Sequence, residues 1–118
     1  MELTNLDFQQ ARVKQVLFKS RLRSVIYGVR TADADLLARA TNPLGQWLDQ
    51  VIRPKYGTHH EVGAIERLLG QMLDTGRILV AEYERNHLEE ARVGLTRVNT
   101  QAEQIEVLLL QLESKVRG

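Results

Sequence analysis

Cysteine is absent from the 118 residues, which excludes disulfides, thiolate nucleophiles and the sulfur ligands that most structural zinc sites use. Such a chain suits a reducing cytoplasm, where we expect it. Proline is confined to Pro43 and Pro54, and aromatic residues make up only 5%. With so few rings there is no interleaving of aromatic and basic residues on which nucleic-acid bases could stack, and no nucleic-acid partner is expected. No sign of charge dominates either: 16 Lys and Arg against 15 Asp and Glu leave a net charge of +1, too little for a field that gathers anionic polymers or membranes. No apolar run exceeds a few residues, Val107 to Leu110 being an example, far short of the roughly 20 residues that span a bilayer. The opening MELTNLDFQQ lacks the basic start and apolar stretch of an export signal. No useful stretch alternates with a period of two, so no sheet is predicted.

What is present is helical periodicity over a length suited to one domain, residues 1–118. Phe8, Ala11, Gln15, Phe18, Leu22, Val25 and Val29 fall at steps of three and four, predicting a first helix capped by Asp7 and ending near Gly28. Thr31 and Asp33 are capping residues for a short helix in TADADLLARA. Asn42-Pro43 reads as an N-cap followed by proline at the first helical position, opening LGQWLDQVI. Arg53 to His60 has no apolar period and reads as the long loop. Val62, Ile65, Leu69, Met72, Gly76, Leu79 and Tyr83 mark a third helix, and Asn86-His87 a tight turn. Ala91, Leu95, Val98, Ala102, Ile105, Leu109, Leu112 and Val116 then keep heptad spacing, which favours long helices packed nearly parallel. The expected fold is all-α, a four-helix bundle with an additional short helix or helices between the first and third long helices. Val107-Leu108-Leu109-Leu110 is apolar all round its helix, more than one core buries, and predicts a homodimer or an attached domain.

Few residues have the character of a chemical site. His59, His60 and His87, with Glu61 beside the first two, form a conceivable metal set, although no His-x-x-x-His pair stands on any helix. Ser20, Ser24 and Ser114 have no nucleophile signature around them, and the glycines form no phosphate-cradling loop. Glu82, Glu84, Glu89 and Glu90 interleave with arginines as ordinary solvated pairs do. The chain is therefore expected not to be an enzyme. Arg12, Lys19 and Arg23 share one side of the first helix and read either as a solvated face or as a contact for an acidic partner. Gln15 stands within an apolar stripe, where a buried amide needs partners: it either specifies packing register or contacts a ligand in an internal pocket with Asn42 and Trp47.

Three groups of residues together resemble a known family: Gln15-x-x-Phe18-Lys19-x-x-Leu22, Asn42-Pro43-Leu44-Gly45-Gln46-Trp47-Leu48, and Leu69-x-x-x-Leu73-Asp74-Thr75-Gly76-Arg77. In order and spacing they are similar to the chemoreceptor zinc-binding domain, a bacterial helical-bundle sensor attached to chemoreceptors and diguanylate cyclases. The likeness runs from Phe8 to about Val116, and Leu44-Gly45-Gln46-Trp47-Leu48 is its most specific part. It implies a zinc site made by a first-helix His, a Cys before the Leu-Gly-x-Trp element and a His-x-x-x-His pair on the third long helix. Those positions fall at Gln15, Asn42, Leu69 and Leu73, none of the family's ligand type, so neither zinc nor any other cofactor is expected there. Phe18 and Trp47 read as core beside them.

The expectation that follows is a non-catalytic regulatory, sensory or interaction domain of a bacterial signalling system, serving chemotaxis or cyclic-di-GMP synthesis, with a signalling protein or fused output domain as partner. A chain that starts at Met1 fits an amino-terminal input domain or a stand-alone protein better than a carboxy-terminal appendage.

Overall fold

The computed structural model describes residues 5–32 and 34–117. Among them no strand occurs. Helix α1 spans Asn5–Ile26, α2 Ala34–Leu37, α3 Pro43–Trp47, α4 Arg53–Tyr56, α5 His60–Glu84 and α6 Leu88–Arg117, with a π turn over Leu48–Ile52 joining α3 to α4. At 1.5 Å per residue the 30 residues of α6 run about 45 Å, which sets the 49 × 21 × 20 Å envelope.

The α5–α6 hairpin follows from its sequence period. Ala91, Val98, Ala102, Ile105, Leu109 and Leu112 on α6 and Val62, Ile65, Leu69, Met72 and Leu79 on α5 are all buried. Asn86, in the turn between them, takes a left-handed φ of 67°, a conformation that asparagine tolerates better than most residues. Helix α1 lies antiparallel to α6, since Arg12 meets Glu113 while the Tyr27 ring lies under Arg92. Its inner stripe of Phe8, Ala11, Gln15, Phe18, Leu22 and Val25 is buried. Val29, expected to continue that stripe, is 79% exposed, because the helix stops at Ile26 and Gly28 turns away at φ 77°. Asp7 stands inside the first turn of α1 instead of capping it, since the helix already includes Asn5 and Leu6; a carboxylate there still complements the helix dipole.

Residues 34–56 run back along α1. Leu37 and Leu22 both approach Gly76, whereas ten residues further on Trp47 meets Phe8 near the start of α1, edge to face at 5.6 Å. Asn42 caps α3 as expected, its Oδ1 accepting from the Gly45 N–H at 3.1 Å. Gly45 is required by close approach: a Cβ there would lie 2.8 Å from the Arg39 carbonyl oxygen. Asp33, expected to help cap the short helix α2, lies outside the described residues.

The loop expected over Arg53 to His60 is largely helical, and only residues 57–59 turn. Pro54 offers no N–H to the Gln50 carbonyl, and its ring crowds it. The wider turn over Leu48–Ile52, closed by the Arg53 N–H on the Leu48 carbonyl, accommodates that ring and lets the helix continue.

Candidate functional site

Gln15, Phe18, Asn42, Trp47, Leu69 and Leu73, contributed by α1, α3 with its cap, and α5, are all buried, none more than 5% exposed. Phe18, Trp47, Leu69 and Leu73 belong to one apolar core. The two polar members are held differently. Asn42 is satisfied locally as a cap, which stabilises its helix by about 1 kcal/mol. Gln15 reaches across helices, its Nε2 donating to the Ala102 carbonyl of α6 at 3.1 Å.

Two polar atoms in this interior have no protein partner, Oε1 of Gln15 and Nε1 of Trp47. One is an acceptor and the other a donor, the inventory that a water or a small polar ligand satisfies. A surface cleft of about 80 Å³ nearby has Arg21, Arg30, Thr31, Thr41 and Pro43 in its wall, but neither Asn42 nor Gln15 nor Trp47.

The donor set does not fit zinc at the position that the family resemblance indicates. Leu69 and Leu73 are i,i+4 neighbours fully enclosed in hydrocarbon, leucine carries no donor atom, the Asn42 oxygen is engaged, and an amide is a feeble ligand. The alternative set of His59, His60 and His87 is not assembled within the chain. His60 opens α5 and His87 follows its end, and 25 helical residues separate them by about 37 Å. His87 instead joins two of the carboxylates that the sequence offered only as solvated pairs. Its Nδ1 lies 2.6 Å from Glu82 Oε2, and ligand atoms of Glu82, His87 and Glu90 fall within 4.8 Å of one another, an exposed grouping that is common without an ion. The turn at Asn86, which folds the start of α6 back beside α5, makes this juxtaposition.

Ion pairs hold the returning segment against α5. Arg39 grips Glu66 through Nε and Nη2 at 2.5 and 2.6 Å and Asp49 at 2.9 Å, and Arg53 also bonds Glu66. The Arg39 guanidinium holds both carboxyls below their usual range, Glu66 and Asp49 alike, against an opposing contribution from desolvation. At the far end of the hairpin the enclosed Glu61 carboxylate bonds Lys115, whose ammonium likewise lowers its pKa. Sequence spacing gave no signal for the pairs of Arg39 and Arg53 with Glu66 or of Lys115 with Glu61, since each is fixed only by how 34–56 or α6 lies on α5.

No family model, no curated protein and no solved structure matches the chain.

Proposed function

We propose that the chain is a non-catalytic regulatory or protein-interaction domain of a bacterial signalling system, of chemotaxis or cyclic-di-GMP type, in which the metal position of the resembled zinc-sensing family has been filled with hydrocarbon. The observation that carries this reading is the burial of Leu69 and Leu73 in one core with Phe18 and Trp47, with the Asn42 oxygen capping α3 and Gln15 Nε2 bonded to the Ala102 carbonyl. On this reading 34–56 is the broken second arm of a four-helix bundle, the protein works in the cytoplasm, and it forms a homodimer through α6. Val107 and Leu110 support the dimer, each 52% exposed on a helix whose opposite face is already buried. Signalling would proceed by a small shift of helix packing handed to a partner.

Two measurements test it. Elemental analysis of untagged protein should find no stoichiometric zinc, whereas the quadruple variant Gln15→His, Asn42→Cys, Leu69→His, Leu73→His should take up one zinc and melt higher with it. Stoichiometric zinc in the parent chain would sink the reading. Its signalling half fails separately if the protein is strictly monomeric at micromolar concentration and captures no chemotaxis or cyclic-di-GMP protein.

A second reading, a small-molecule sensor, is favoured by the orphaned Gln15 Oε1 and Trp47 Nε1. A metabolite that occupies them should raise the melting temperature of the parent chain and not that of Gln15→Leu.

A further inference from the structure

Of ten large hydrophobic side chains exposed among the described residues, four lie within twelve positions of α1: Leu6 at 60%, Val13 at 56%, Val16 at 60% and Leu17 at 49%. At 100° per residue they share the outward side of the helix with Gln9 and Ser20, opposite the buried stripe of Phe8, Ala11, Gln15, Phe18 and Leu22. No charged residue falls on that outward strip over some four turns, although solvated helix faces normally carry most of the charge. The charges stand at its edges, Lys14 and Arg21 along one and Arg12, Lys19 and Arg23 along the other. Arg12 is already paired with Glu113 on α6, and Arg23 lies over the Tyr27 ring. Lys14, Lys19 and Arg21 meet no carboxylate within ion-pair distance among the described residues.

We propose that this outward face of α1 docks an amphipathic helix of another protein, one whose apolar stripe is bordered by Asp and Glu. The proposal deepens the interaction reading above, and its test uses no signalling protein, so either can fail alone. Charge decides the occupant. A second copy laid on this face, parallel or antiparallel, would bring basic edge against basic edge, because α1 carries five Lys and Arg against one Asp. An acidic border instead supplies the counter-charges that Lys14, Lys19 and Arg21 lack, and draws the partner in electrostatically. A lipid surface fits less well, since the strip holds valines, leucines, Gln9 and Ser20 where helices that lie in membranes present Trp, Phe and Leu. The strip is only one helix wide, so the complex belongs with small, transient interfaces.

The test is fluorescence anisotropy of the whole chain against a labelled 21-residue helical peptide with a leucine stripe bordered by glutamates, and against its twin bordered by lysines. The glutamate peptide should bind saturably at micromolar concentration, more weakly as salt is raised, and the lysine peptide should not bind. Val13→Glu with Leu17→Glu should weaken binding by about tenfold or more. Val93→Glu, at an exposed valine of α6, should leave it unchanged. All three positions are solvent-facing, and circular dichroism should show both variants folded and melting like the parent. Equal binding of the two peptides, or no binding of either, overturns the proposal. So does uptake by anionic phospholipid vesicles that the α1 double variant abolishes, or a dimeric parent that this variant makes monomeric.

Discussion

The α5–α6 hairpin and the returning segment 34–56 solve the same packing problem by opposite means. In the hairpin, apolar residues recur at every third or fourth position for seven turns, and burial is spread over side chains that each do a similar share. The segment has no run of helix longer than five residues, counting its π turn separately. It holds its place through few anchors: Leu36, one short stripe of Leu44, Trp47, Leu48 and Ile52, the Asn42 cap, the Arg39–Glu66–Arg53 pairs, and Arg77 Nη2 donating to the Leu37 carbonyl at 2.7 Å. Repetition makes a helix pair robust to losing any surface contact. Having few anchors makes a segment sensitive to single residues, and easier to release locally without unfolding the whole.

The contrast can be broken by experiment, beginning where the effect is largest. Leu109→Ala removes a fully buried side chain from the hairpin and should cost about 2–5 kcal/mol in urea unfolding, as one cooperative transition. Partial melting confined to 34–56 in that variant would show that the hairpin is not the cooperative unit. Asn42→Ala should cost about 1 kcal/mol, and amide exchange should quicken over 43–56 while the α5 and α6 interiors keep their protection. Uniform quickening along the chain would erase the distinction between the two regions.

Smaller still is the contribution of the half-exposed ion pairs. Glu66→Gln should lose about 0.5–1 kcal/mol, a range already reduced for solvent screening. Its signature is in the pH dependence. Both Glu66 and Asp49 have folded pKa values below their unfolded ones, so the stability they add is fully present above the ordinary carboxylate range and is lost as pH falls through their depressed folded values. Acid titration below about pH 4 should therefore loosen 34–56 in the parent chain and do so less in Glu66→Gln. A parent and variant with superimposable acid limbs would remove the ion pairs from the account of what holds this segment.

Helices α1, α5 and α6 were legible because each buries one stripe, and a stripe shows itself as spacing. The Asn42-Pro43 start was legible for a different reason, as a cap and a proline are local chemistry that needs no tertiary partner. The helical course through Pro54 was not legible, because the wider turn over Leu48–Ile52 that accommodates the ring is a matter of backbone geometry with no residue code. Gln15 was recognisable as a misfit in an apolar series, but only the position of α6 supplies its Ala102 partner and leaves its Oε1 without one.

The one-dimensional pattern by itself determined the helical class, the α5–α6 hairpin and the chemical fact that Leu69 and Leu73 cannot ligate a metal. The length of α5, one continuous helix, by itself keeps His60 and His87 about 37 Å apart. Tertiary structure alone decided which carboxylates Arg39 and Lys115 find, and that Leu6, Val13, Val16 and Leu17 stay exposed on α1. The physical reason is range. Periodicity, capping and donor chemistry act within a few residues of sequence, whereas an ion pair or an uncovered face depends on where other helices lie across the core.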